Sequence, residues 1–292
     1  MVYCSYTDQD LPNDKVNSEH IIPLSLGGVN GFEIPVCKKE NSKLGSAIDG
    51  RIGQEFIIHS ARTKHSIEGH SGKAARMYFN NAIDSESGQK VQLTISKNSG
   101  ISAQLPYHNP DLAPPTGNSF SIPIKVDLDI WLKYTAKVFL AAGYYVYGQN
   151  FREGIDTNAL RVVMRHSREE IIEKYTAEIK PIFNAHYIYQ EHTSQFTHIF
   201  KAICRLFPDN SCVGFFLEWD AIHCFTSILG NYIGSISIEA NTANFPKEGQ
   251  FQQGHFLCVQ DGKLKRVSYR HILLEIFSRL PENTRKKYPT PY

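Results

Sequence analysis

The sequence predicts an α+β fold: a small N-terminal module that ends in a helix, followed by a mixed α+β domain with hairpins and a long central helix. Three observations carry this. Trp131, Tyr134, Val138, Phe139 and Ala142 recur at the spacing of one buried helix face. From Ile182 onward, runs rich in β-branched and aromatic residues alternate with short polar turns, the mark of strands and hairpins. The first fifty residues read as a compact module whose helix runs from near Lys39 to Ile48.

Arg51 to Glu68 is helix-like, with Ile52, Phe56, Ile57 and Ala61 spaced for one buried face. Gly69-His70-Ser71-Gly72-Lys73 breaks that pattern. The expected domains are therefore 1–70, the N-terminal module with its following helix, and 71–292, an accessory domain for specificity or regulation. Met77 to Ile83 and Lys90 to Ile95 are strands joined by the polar turn Asp84-Ser85-Glu86-Ser87-Gly88. Asn109 to Asn118, with Pro110, Pro114, Pro115 and Gly117, is a loop, and a short strand follows near Phe120 to Val126.

Asp127 to Tyr147 is the clearest helix, capped by Asp127 or Asp129 and ended by Gly148. Further helices are expected at Thr157 to Arg165 and Ser167 to Lys174, where Ser167-Arg168-Glu169-Glu170 has the capping-box form. Strands are expected at Ile182 to Tyr189, Cys212 to Trp219, Ile222 to Ile228 and Tyr232 to Ile238, while no period decides Phe196 to Phe207. Phe256 to Gln260 and Leu264 to Ser268 flank Asp261-Gly262, a strong hairpin signal, and Tyr269 to Leu280 closes the chain as a helix. Trp131, Trp219, Tyr187 and Tyr189 sit at helix or strand spacing and are expected in the core; His186, His192 and His198, six residues apart, do not form a compact metal motif.

Composition bounds the function. A formal net charge of +2, with a locally acidic first sixty residues, does not suit a strongly basic nucleic-acid-binding domain. Phosphate binding would rest on local patches: Arg62, Lys64, Lys73 and Arg76; Arg161, Arg165 and Arg168; and Arg285, Lys286 and Lys287. Each of these also reads as an ordinary solvated surface, and the first lies nearest the motif described next. Six scattered cysteines suggest reduced thiols. The N-terminus shows no charged leader before an apolar core, and no apolar run is long enough to span a membrane, so a cytoplasmic protein is expected.

The chemistry concentrates at Ser18-Glu19-His20-Ile21-Ile22-Pro23, with Gly27-Gly28 after it and Cys37-Lys38-Lys39-Glu40-Asn41-Ser42-Lys43 further on. Glu19 and Asn41 offer hard oxygen ligands for a divalent cation from two separate elements. His20 brings an imidazole, a group that titrates near neutrality (about 6.5) and can take a proton from water. Successive strand residues face opposite ways, so the strand must bulge or end for Glu19 and His20 to serve one site.

This cluster resembles the HNH endonuclease signature. The resemblance implies a ββα-metal module that hydrolyses phosphodiester bonds around one divalent cation, Mg²⁺ or in its place Mn²⁺. Glu19 and Asn41 match the metal ligands, and His20 matches the general base. Phe32 stands where the pattern has its middle, histidine-orienting asparagine, and Asn30 is the nearest candidate. Many relatives also carry a structural zinc on two Cys-x-x-Cys pairs, but here Cys4 is followed by Thr7 and Cys37 by Glu40. No structural Zn²⁺ is expected, and the knuckle shape would rest on packing around Tyr3, Tyr6, Leu11 and Val36. Ile130-Trp131-Leu132-Lys133-Tyr134-Thr135-Ala136-Lys137, with Tyr144 to Gly148 and Leu160-Arg161, looks like the accessory region of a group of HNH proteins of about this length.

The reading is a metal-dependent endonuclease acting on DNA rather than RNA, in defence or a mobile element. Lys43, Arg62 and Lys64 are expected at the phosphates, and the C-terminal domain would serve a second copy or a regulatory partner. The alternative is a non-catalytic nucleic-acid- or protein-binding module on a degenerate HNH scaffold.

Overall fold

The computed structural model describes residues 1–68, 72, 75–97, 100–105, 119–185, 195–245, 251, 253–279 and 281–286. The chain forms two compact units, Met1–Ile52 together with Leu128–Tyr292, and Gly53–Asp127 between them. The composition break near residue 70 coincides with neither junction.

The first unit opens with a hairpin of β1 (Val2–Cys4) and β2 (Gln9–Leu11). A second hairpin pairs β3 (Val16–His20) with β4 (Glu33–Cys37), and α1 (Lys38–Leu44) follows without a linker, widening into a π-type turn over Gly45–Gly50. Tyr3, Tyr6, Ile21, Ile22, Phe32, Ile34 and Val36 form its apolar interior. Gly27 takes a left-handed conformation, and a Cβ on Gly28 would stand 1.8 Å from the Ile22 carbonyl oxygen, so this turn admits no side chain there.

The second unit holds α2 (Phe56–Lys64) and a four-stranded antiparallel sheet of β5 (Met77–Asp84), β6 (Lys90–Ser96), β7 (Gly100–Gln104) and β8 (Phe120–Ser121), in the order β7-β6-β5-β8. The Asp84 carboxylate accepts from the Glu86 N–H and the Ser87 hydroxyl, which fixes the β5–β6 turn. The single helix expected from Arg51 to Glu68 is interrupted: Glu55 is extended and α2 starts at Phe56. That interruption turns Ile58 and Ala61 inward and leaves Ile57 exposed. The strand expected to reach Val126 stops at Ser121, before Pro123.

The chain then returns to the first unit through α3 (Leu128–Tyr147), α4 (Gln149–Gly154), α5 (Thr157–Arg165) and α6 (Arg168–Lys174), the last with the full capping box at Ser167 and Glu170. A six-stranded antiparallel sheet follows, built from β9 (Ile182–Ala185), β10 (Cys212–Leu217), β11 (Ala221–Ile228), β12 (Asn231–Glu239), β13 (His255–Gln260) and β14 (Lys263–Ser268). Its strand order is β14-β13-β10-β11-β12-β9. Two further helices are α7 (Gln195–Leu206) and α8 (Tyr269–Arg279).

Both faces of this sheet are covered. Phe215 packs on Phe139 of α3 at 5.8 Å, while Phe225 stacks on Phe200 of α7 at 4.4 Å. Every residue of β11 is therefore buried, in contrast to the alternation of a half-exposed strand. The segment whose period was undecided is helix α7, whose Phe200, Ile203 and Cys204 face the sheet. Trp219 is 86% exposed, against the expected core position. The Asn109 to Asn118 loop, His186, Tyr187, Tyr189, His192, Lys73 and Lys287 lie outside the described residues. No helix among the described residues is long and apolar enough to cross a membrane.

Candidate active site

The β3–β4 ladder sorts the motif residues. Its register pairs Glu19 with Ile34 and His20 with Glu33, with no bulge, and regular pairing ends at His20. Side chains alternate across a strand, so Ser18, His20 and Glu33 share one face and Asn17 and Glu19 the other.

On the first face the His20 Nε2 lies 3.0 Å from Asn30 Oδ1 and 3.0 Å from Glu33 Oε1. The Ser18 hydroxyl donates to the other Glu33 oxygen, and the Gly31 N–H donates to Oε1 at 3.3 Å. These donors, the Ser18 hydroxyl foremost, hold the Glu33 carboxyl below its ordinary range. A carboxylate only accepts, so its approach assigns the proton of a neutral His20 ring to Nε2 and leaves Nδ1 as the basic nitrogen. Asn30, proposed from its place in the sequence, meets the imidazole. Glu33 was missed, and its signal was available: it stands at the start of the second strand, where a hairpin register would oppose it to His20.

On the other face the Asn41 Nδ2 donates to Asn17 Oδ1 at 3.2 Å and reaches the Ser18 carbonyl at 3.5 Å. Glu19 Oε1 accepts from the Lys137 ammonium at 2.6 Å, and the same ammonium donates to Asp49 Oδ2 at 2.6 Å. Lys137 comes from α3 and is fully buried. Burial alone would lower its pKa, but the Asp49 and Glu19 charges outweigh this and hold it above the ordinary lysine range. Burial pushes the Asp49 carboxyl up despite Lys137. We take Lys137 as charged, because two carboxyl groups converge on one ammonium. The Tyr6 and Tyr134 phenols are pushed well up, first by burial and then by the Glu19 and Asp49 charges, so both stay neutral.

Lys43 is exposed in the last turn of α1. Arg62 and Lys64 lie on α2 of the second unit, where the Arg62 guanidinium donates to the Gly53 carbonyl at 2.9 Å and is half-buried. Arg161 of the second basic patch is 4% exposed and donates to the Ser5 carbonyl and the Asp8 carboxylate, so it is a structural residue. The Cys37 N–H donates to Cys4 Sγ at 3.2 Å.

Among the described residues no group of three or more His, Cys, Asp or Glu is disposed to hold a metal ion. The donor chemistry nevertheless fits a hard cation: Glu19 supplies a carboxylate, and Asn41, which donates through its amide nitrogen, keeps a carbonyl oxygen for coordination.

Residues 4–57 match the family model of HNH endonucleases, so the chain carries an N-terminal HNH module, a module of the nuclease type. No curated protein and no solved structure matches the chain.

Proposed function

We propose that the protein is a metal-dependent endonuclease that hydrolyses phosphodiester bonds in DNA. The observation that carries this reading is the His20 imidazole, tied through Nε2 to Asn30 and Glu33 at the end of β3, inside a segment of HNH type. With Nε2 engaged, Nδ1 is the nitrogen that takes the proton from an attacking water. Glu33 fixes the ring and favours the imidazolium formed when that proton arrives. Glu19 and Asn41 are the residues that would hold Mg²⁺ or Mn²⁺, and the cation would neutralise charge building on the phosphate and the leaving 3′ oxygen. Because regular pairing ends at His20, a phosphodiester across the end of β3 would meet both faces of the hairpin.

One observation favours the second reading, a binding module on an inactive HNH scaffold: Glu19 is engaged by Lys137. Incubation of supercoiled and linear plasmid with Mg²⁺, Mn²⁺ or EDTA, beside His20→Ala, separates the two. Metal-dependent cutting by the parent protein and none by His20→Ala is the expected result. No cutting under any metal, with DNA still bound, would give the answer to the scaffold.

A further inference from the structure

Lys137 lies in the middle of α3, fully buried, with Tyr134, Thr135, Ala136, Val138, Phe139 and Leu140 buried around it. A charge is carried into such surroundings only when it is paired. Its partners, Glu19 and Asp49, are 12% exposed at the side chain, and both touch the ammonium at 2.6 Å. One ammonium against two carboxyl groups leaves at most one net negative charge at this seat. A divalent cation drawn to Glu19 therefore meets a like charge within roughly 5 Å, in surroundings that screen far less than water. Asp49 Oδ1 is buried and has no hydrogen-bond partner among the described residues. It offers the ammonium a second acceptor if Glu19 is taken by another cation.

We propose that Lys137 is an internal competitor for the divalent cation: it occupies Glu19 in the substrate-free protein, and the cation loads together with a phosphodiester, whose negative charge restores the balance. This inference rests on the metal-dependent nuclease reading and makes Lys137 a positioning residue that sets when Glu19 is available.

The test is Mn²⁺ affinity, measured by calorimetry on the full chain without nucleic acid, for the parent protein and for Lys137→Met. Removing the like charge should tighten Mn²⁺ binding about ten-fold or more, and Mn²⁺ should raise the melting temperature of Lys137→Met more than that of the parent. Adding Glu19→Gln to Lys137→Met should remove the gain. Equal or weaker binding by folded Lys137→Met would overturn the proposal. If Lys137→Met does not fold without metal, Lys137→Met with Asp49→Leu removes the second buried charge and is judged by the same affinity comparison. Plasmid cleavage is scored separately. Tighter Mn²⁺ binding in a protein that never cuts DNA would sink the nuclease reading and keep the competitor; cutting with unchanged affinity would do the reverse.

Discussion

The Arg161 guanidinium donates to the Asp8 carboxylate at 2.9 Å, joining α5 to the β1–β2 turn across 153 residues of sequence. Arg152 meets Asp8 and Asp10 from α4 and lies over the Tyr3 ring at 4.1 Å, and Arg165 donates to the Tyr6 carbonyl at 2.7 Å. Three guanidinium groups thus hold the turn that opens the HNH module. Arg161→Ala would leave the Ser5 carbonyl without this donor, and a loss of about 2 to 3 kcal/mol is expected. Chemical denaturation measures it; DNA affinity unchanged within about two-fold separates this role from phosphate binding, which would instead weaken association and its salt dependence.

His20→Ala is expected to lower cleavage by about 10²-fold or more while leaving stability nearly unchanged, since the side chain is partly exposed at the end of a strand. Asn30→Ala should lower cleavage by about 10- to 100-fold through loss of ring orientation. Single-turnover cleavage rates check both, and an Asn30→Ala protein as fast as the parent would remove Asn30 from the site.

Gly28→Ala places a methyl group against the Ile22 carbonyl oxygen, 1.8 Å from its ideal position. The turn between β3 and β4 must then open, and a loss of about 2 to 4 kcal/mol is expected. A thermal melt within a degree of the parent would show that the turn accommodates a side chain.

His255 is buried at the start of β13, stacked on Phe251, with Arg266 donating to its Nδ1 at 3.0 Å. Burial first, and then the Arg266 charge, hold its pKa down to about 4. In the unfolded chain an imidazole titrates near 6.5, so between about 4 and 6.5 the unfolded state binds the extra proton. The stabilisation is complete above about pH 6.5 and is lost as pH falls towards about 4, by up to about 3 kcal/mol. Urea denaturation at pH 5 and pH 7.5 should show a smaller pH difference for His255→Gln than for the parent; equal differences would assign the pH response to other groups.

Much of the architecture was legible because its signals are local. The α3 period, the Ser167 capping box and the Asp261-Gly262 turn each depend on neighbours in sequence, and the elements appear where those signals stand. Helix α7 was illegible because Phe200, Ile203 and Cys204 fit a β-branched and aromatic run as readily as a helix face. In the candidate site, Glu19, His20 and Asn41 stand out as a sequence motif, while Lys137 and Asp49 do not, since the pairing of Lys137 with Glu19 and Asp49 is purely tertiary. The available hint was a lysine inside an otherwise apolar stretch of α3, where an unpaired charge does not survive.

The 118 residues that separate Glu19 from Lys137 also set a schedule. Synthesis proceeds from the N-terminus at about 5–20 residues per second, so the HNH motif leaves the ribosome on the order of ten seconds before the lysine that pairs with Glu19. A chain released in that interval carries the whole motif as sequence and lacks the ammonium around which Glu19 and Asp49 are arranged. Translation length, rather than the motif alone, decides when Glu19 meets the lysine that occupies it.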